Sequence, residues 1–148
     1  MSDAFPFFRS VVLDSTDVRG LAEFYRQLLG YTYRSGDEPP AAGEDDALGR
    51  DFLMLEEPGG RRRLAFQHVD ELPTPTWPRE GVPQQLHLDL SVPDRESMEA
   101  QRDRALSLGA TILDADRSDD PDEPIYVFAD PSGHPFCIFV VAPGASPV

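Results

Sequence analysis

Val18-Arg19-Gly20-Leu21-Ala22-Glu23-Phe24-Tyr25-Arg26-Gln27-Leu28-Leu29-Gly30-Tyr31-Thr32 decides the fold, first through its own periodicity and then through its partial return later in the chain. Val18, Leu21, Ala22, Tyr25, Leu28 and Leu29 recur at the three-and-four spacing of one helical face, which predicts an amphipathic helix of about three turns. Any of Asp14-Ser15-Thr16-Asp17 supplies an N-cap side chain, and Gly30 sits where a left-handed C-cap belongs. Before the helix, Phe7 to Leu13 is rich in aromatic and β-branched residues and reads as a strand. After it, Tyr31 to Arg34 reads as a strand and Gly36 to Arg50 as a Pro, Gly and acid-rich loop. Phe52 to Leu55, Pro58-Gly59-Gly60 and Arg63 to Val69 then read as strand, turn and strand. The order is β-α-β-β-β.

A second copy follows a Pro-rich connector, Leu72 to Pro83. Gln85 to Val92 reads as a strand, Pro93-Asp94 opens a helix to Leu108, Gly109 closes it and Thr111-Ile112-Leu113 begins the next strand. Asp114 to Pro124 is an acidic loop. Tyr126 to Ala129, the turn Asp130-Pro131-Ser132-Gly133 and Phe136 to Val141 complete the module. Leu108-Gly109-Ala110-Thr111 matches Leu29-Gly30-Tyr31-Thr32 at three of its four residues, so we read an internal duplication, with one module at about 7–70 and the other at about 84–142.

The composition fits this size of architecture and removes several functions. The chain has 148 residues, 40% hydrophobic and 27% charged, enough for a single domain over 1–148 that buries its own core. Lys+Arg 13 against Asp+Glu 27 leaves a net charge of −14, and every basic residue is Arg. Schiff-base chemistry and a phosphate-loop lysine both need the absent amine. The acid excess argues against nucleic-acid partners and anionic membrane surfaces. Cys137 is the one cysteine, so no intrachain disulfide exists. Met1 to Ser10 has no basic and apolar leader pattern, and the apolar run Phe136 to Ala142 is too short to span a bilayer. A cytoplasmic protein is the expectation.

In Val11-Val12-Leu13-Asp14, Ala22 to Gly30, Leu86-His87-Leu88-Asp89-Leu90 and Asp130-Pro131-Ser132-Gly133-His134-Pro135-Phe136, the chain resembles the vicinal oxygen chelate superfamily. This is the glyoxalase, bleomycin-resistance and extradiol-dioxygenase group, and the resemblance is greatest to its glyoxalase-like domain branch, over about residues 7–142. It implies an α+β fold, the glyoxalase/bleomycin resistance/dihydroxybiphenyl dioxygenase fold, in which two βαβββ modules form a mixed eight-stranded, barrel-like cavity. It also implies a homodimer. One such fold hosts lyases, epimerases, dioxygenases and drug-binding proteins, so the site must decide the function.

Period-two alternation puts Leu86, Leu88 and Leu90 under the helix and His87, Asp89 and Ser91 on the other face. His87 lies 77 residues beyond Ser10, so Ser10, Val12 and Asp14 are the corresponding positions of the first module. Metal-dependent relatives take one ligand from the first and one from the last strand of each module, which implies Ser10, Gln67, His87 and Cys137 here. Only His87 is a standard ligand; Gln67 offers a neutral amide, Ser10 a weak hydroxyl and Cys137 a soft sulfur suited to zinc. A dication there lacks its usual charge compensation unless Asp89 swings in or Cys137 ionises. The remaining candidates are Trp77, read as a linker anchor or as a stacking wall for a planar ligand, Phe139 as a cavity wall and Arg63 as an inward clamp for a carboxylate. His68 is expected on the helix-facing side and His134 in an exposed turn. The acidic segment from Asp114 to Glu123 lacks calcium-loop spacing and reads as solvated.

The preferred expectation is a protein with a degraded metal site that binds a small, aromatic or antibiotic-like molecule through Ser10, Val12, Arg63, Gln67, Trp77 and Phe139, without a cofactor. The alternative is a lyase, isomerase or dioxygenase of the glyoxalase type. It would work through a divalent metal (zinc, nickel or iron) at His87, Gln67 and Cys137, or through His87 as general base oriented by Asp89.

Overall fold

The computed structural model describes residues 5–141. The first residues weighed as a leader and the end of the second module at 142 therefore lie outside the described residues. The chain divides between Glu71 and Leu72 into two compact units.

In the first unit, β1 (Val11–Ser15), α1 (Val18–Leu29), β2 (Thr32–Tyr33), β3 (Phe52–Glu56) and β4 (Arg62–His68) follow the expected β-α-β-β-β order. The sheet order is β1-β4-β3-β2, with β1 parallel to β4 and the other pairs antiparallel. Asp17 caps α1 by accepting from the Gly20 N–H at 3.0 Å, and Gly30 ends it with φ 68° while donating to the Arg26 carbonyl. Val18, Leu21, Ala22, Tyr25 and Leu28, the periodic face, are buried with Leu53, Leu55, Leu64 and Phe66 of the sheet. The Tyr25 and Phe66 rings stack at 5.9 Å.

The second unit repeats the plan with β5 (Leu88–Val92), α2 (Arg95–Ser107), β6 (Thr111–Asp114), β7 (Ile125–Ala129) and β8 (Pro135–Val140), ordered β5-β8-β7-β6. β5 is parallel to β8. Asp94 caps α2 through the Ser97 N–H at 2.7 Å. Met98 and Ala105 are the helix's buried residues, and Phe128 and Phe136 stack at 5.0 Å in the same core. Arg102 completes that side of the helix over the Tyr126 ring, 5.6 Å from its centroid.

Two strands start later than their sequence texture predicts. The ladder of β1 with β4 begins at Val11 opposite Leu64, so Phe7 and Phe8 precede it and are exposed. The ladder of β5 with β8 begins at Leu88 opposite Phe136, because the residue before Phe136 is Pro135, which has no N–H to give. High β-propensity does not make a strand where no neighbour supplies hydrogen bonds. No helix among the described residues is long and apolar enough to cross a membrane.

Candidate functional site

The helix of the second unit covers one face of its sheet, and register determines what stands on the other. Cys137 lies opposite Asp89 on β5 and opposite Val127 on β7, while Phe136 and Ile138 turn into the core beneath α2. His87 immediately precedes β5, two residues from Asp89. A cavity of about 370 Å³ opens on this face, with Trp77, Ile125, Val127 and Pro135 as its apolar walls. His87, Asp89, Cys137, Gln84, Asp114 and Arg117 supply its polar lining.

His87 Nε2 stands 3.3 Å from Asp89 Oδ1, both side chains half exposed. The Cys137 thiol donates to the same Asp89 oxygen at 2.6 Å. Burial, and then Asp89, push this thiol up to about 12, so without a metal it is held as a neutral S–H. One ligand atom from each of the three residues falls within 4.8 Å of the others. An imidazole nitrogen, a carboxylate oxygen and a sulfur together fit a borderline ion such as zinc better than magnesium or calcium. Gln84 adds a buried Oε1 with no hydrogen-bond partner among the described residues, an acceptor open to a ligand N–H or O–H.

Trp77 is half-buried in the connector, whose Thr76–Val82 loop closes on itself. Thr76 N–H donates to the Val82 carbonyl and Val82 N–H to Thr76 Oγ1, both at 2.9 Å. The loop thus holds the indole at the cavity as a wall. Asp114 and Arg117, assigned from sequence to a solvated loop, line the cavity as well. Arg117 is 3.5 Å from Glu123 and 3.7 Å from Asp120.

The other sequence candidates stand elsewhere. Phe139 lies one pleat beyond Cys137, opposite Ser91 and Ile125, outside this cavity's lining. Ser10, Val12, Arg63 and Gln67 belong to the first unit. There Gln67 pairs with Asp14, so its positional counterpart in the second unit is Phe139, and the counterpart of Cys137 is Ala65. Arg63 is the extra residue where the β3–β4 register shifts between Leu55 and Glu56. Its guanidinium pairs with Glu57 at 3.1 Å, so the inward carboxylate clamp is replaced by an ion pair within the hairpin. His68 is at the exposed end of β4 beside Asp70, not beneath the helix. His134 lies in the turn before β8, half-buried. Ile125, Val127 and Pro135 were not singled out from sequence, although counting outward from the Asp130–Gly133 turn places Val127 across from Cys137.

The chain matches the glyoxalase-like domain family over residues 10–139. Several solved structures share its fold. One is a glyoxalase/bleomycin resistance protein/dioxygenase family enzyme from Burkholderia phytofirmans PsJN, 19% identical, covering 89% of this chain and 96% of that one with a TM-score of 0.64. A possible glyoxalase from Bacillus cereus is 16% identical over 89% and 96%, with a TM-score of 0.59. The genomically encoded fosfomycin resistance protein FosX from Listeria monocytogenes, complexed with Mn(II) and sulfate, is 13% identical over 97% and 96%, with a TM-score of 0.58. No curated protein sequence matches the chain.

Proposed function

This chain belongs to the glyoxalase-like domain family, and from that premise we propose that it binds a small, planar organic molecule on the helix-free face of its second unit. The observation that carries the reading is the 370 Å³ cavity, of a size for a small ligand, with Trp77 and aliphatic side chains as walls and a few convergent polar groups at its floor. The unpartnered Gln84 Oε1 favours a ligand bearing an N–H or O–H donor. Fosfomycin resistance and glyoxalase names among the structural neighbours agree with small-molecule recognition as the task of this fold. The net charge of −14 supports a partner other than nucleic acid.

Trp77 is the chain's one tryptophan and lines this cavity, so tryptophan emission reports on a single indole at its wall. Screening planar donor-bearing compounds by Trp77 fluorescence and thermal shift should find a ligand, and Val127→Phe should abolish its binding by filling the cavity. Binding that survives Val127→Phe unchanged, or a screen that never perturbs Trp77, overturns the reading.

The contact of His87 with Asp89 favours a second reading, a lyase or isomerase of the glyoxalase type in which His87 takes a proton from bound substrate and Asp89 orients the imidazole. Its mark is a His87→Ala variant that keeps ligand affinity and loses turnover.

A further inference from the structure

We propose that Arg79 holds an acidic group of the ligand, so that the second unit takes a planar organic acid bearing a hydroxyl or amine at its other end. The inference rests on the small-molecule reading above and names the ligand class of that same site. Its basis is a second recess, of about 290 Å³, which shares Trp77 and Gln84 with the main cavity and is completed by Arg79, Glu80, Val82 and the residues between and beside them. A ring placed against the indole therefore has space to extend into either hollow.

Arg79 is fixed at its backbone and unspent at its side chain. Its N–H donates to the Thr76 carbonyl at 2.8 Å, and the loop is closed again by Val82 N–H on Thr76 Oγ1 at 2.9 Å. A Cβ at Gly81, where φ is +133°, would stand 2.9 Å from that same oxygen, so the closed loop calls for glycine there. Thr74 packs over Gly133 of the β7–β8 turn, where a Cβ would meet Thr74 Cγ2 at 3.0 Å, and this ties the connector to the sheet of the second unit. The exposed Arg79 guanidinium has no hydrogen-bond or ion-pair partner among the described residues, and Glu80 beside it in sequence does not pair with it. Arg117, the arginine of the main cavity, already faces Glu123 at 3.5 Å and Asp120 at 3.7 Å.

Complementarity then sets the polarity of the ligand. The main cavity offers acceptors, the buried Gln84 Oε1 and the Asp89 and Asp114 carboxylates, which suit a donor and repel an anion. The recess offers an unpaired guanidinium, whose planar fork matches a carboxylate bidentately. In a chain of net charge −14 a free anion is repelled at long range, so its capture depends on this local cation.

Isothermal titration calorimetry on the full chain, with 4-hydroxycinnamate and its neutral amide 4-hydroxycinnamamide, separates the carboxylate from the ring and the hydroxyl. The acid should bind more tightly than the amide. Arg79→Ala should weaken the acid roughly fivefold or more and leave the amide unchanged. Arg9→Ala, the same loss of charge at an exposed residue before β1, should alter neither. The inference is overturned if the amide binds as tightly as the acid, if Arg79→Ala and Arg9→Ala lose equally, if the loss is confined to Arg117→Ala, or if the acid does not bind. Amide binding that Val127→Phe abolishes would keep the small-molecule reading while this assignment falls.

Discussion

Asp130 illustrates how one side chain carries a turn. It is buried, and its Oδ1 accepts from the Ser132 N–H at 2.9 Å and the His134 N–H at 3.0 Å, while its backbone exchanges bonds with Gly133 and His134. Replacing it by Ala leaves two backbone donors short of a partner beside a packed strand. Asp130→Ala is therefore expected to cost about 2 kcal/mol in urea unfolding, whereas Asp130→Asn, which keeps an acceptor, costs less than half of that. Tyr33 gives the alkaline limb of stability. Its ring is buried and its hydroxyl donates to Glu23 at 2.7 Å. Burial chiefly, with Glu23 adding and Arg19 opposing, pushes the phenol up to about 12 from 10.0. The folded state thus holds this proton more tightly than the unfolded chain does. The stability this confers is fully present below pH 10 and is lost as pH rises toward 12, on the order of 2 kcal/mol in all. Denaturation midpoints measured from pH 8 to 12 should fall along this limb, and Tyr33→Phe should flatten it. The Asp-Pro-x-Gly turn was legible from residue types, but the burial of Asp130 and the Tyr33–Glu23 bond were not, since both depend on what the fold brings near.

The start of α1 shows a helix element protecting its own cap. Gly20 lies in the first turn, and a Cβ built there would stand 2.1 Å from Asp17 Oδ2. Gly→Ala in a helix ordinarily gains up to about 1 kcal/mol, and loss of an N-cap Asp costs about 1 kcal/mol. Here the methyl group displaces the cap, so Gly20→Ala alone should give no net gain in thermal unfolding, while the same change in an Asp17→Ala background should recover most of the helix-propensity gain. Additive effects would show that the cap and the glycine are independent. Helices were readable because their periodicity and caps are local. Strand limits and site register were less so, because they are settled by partners far along the chain. Val11 of β1 and Leu88 of β5 are equivalent and 77 residues apart, yet Leu64 and Phe136, the closing-strand equivalents, are only 72 apart. The intervening loops differ in length between the copies. Transferring Cys137 back by sequence texture consequently landed on Gln67, one pleat away from its counterpart Ala65, and left Asp89 as an accessory when the ladder makes it Cys137's direct neighbour.

Across the whole molecule, the duplicated β-α-β-β-β order was legible because each copy repeats the same alternation of textures, whereas the difference between the copies is chemical. The second unit sets His87, Asp89 and Cys137 on its open face, and the first sets Ser10, Val12 and Ala65 at the matching positions. A ligand held as proposed should accordingly stabilise one unit. At a hundredfold excess over its dissociation constant it adds about 2.7 kcal/mol to the folded state it binds. Hydrogen exchange followed by mass spectrometry should then show slowed exchange in β5, β7 and β8, whose residues line the cavity, with β1 and β4 little changed. Protection spread equally over both units would place the ligand elsewhere than this cavity.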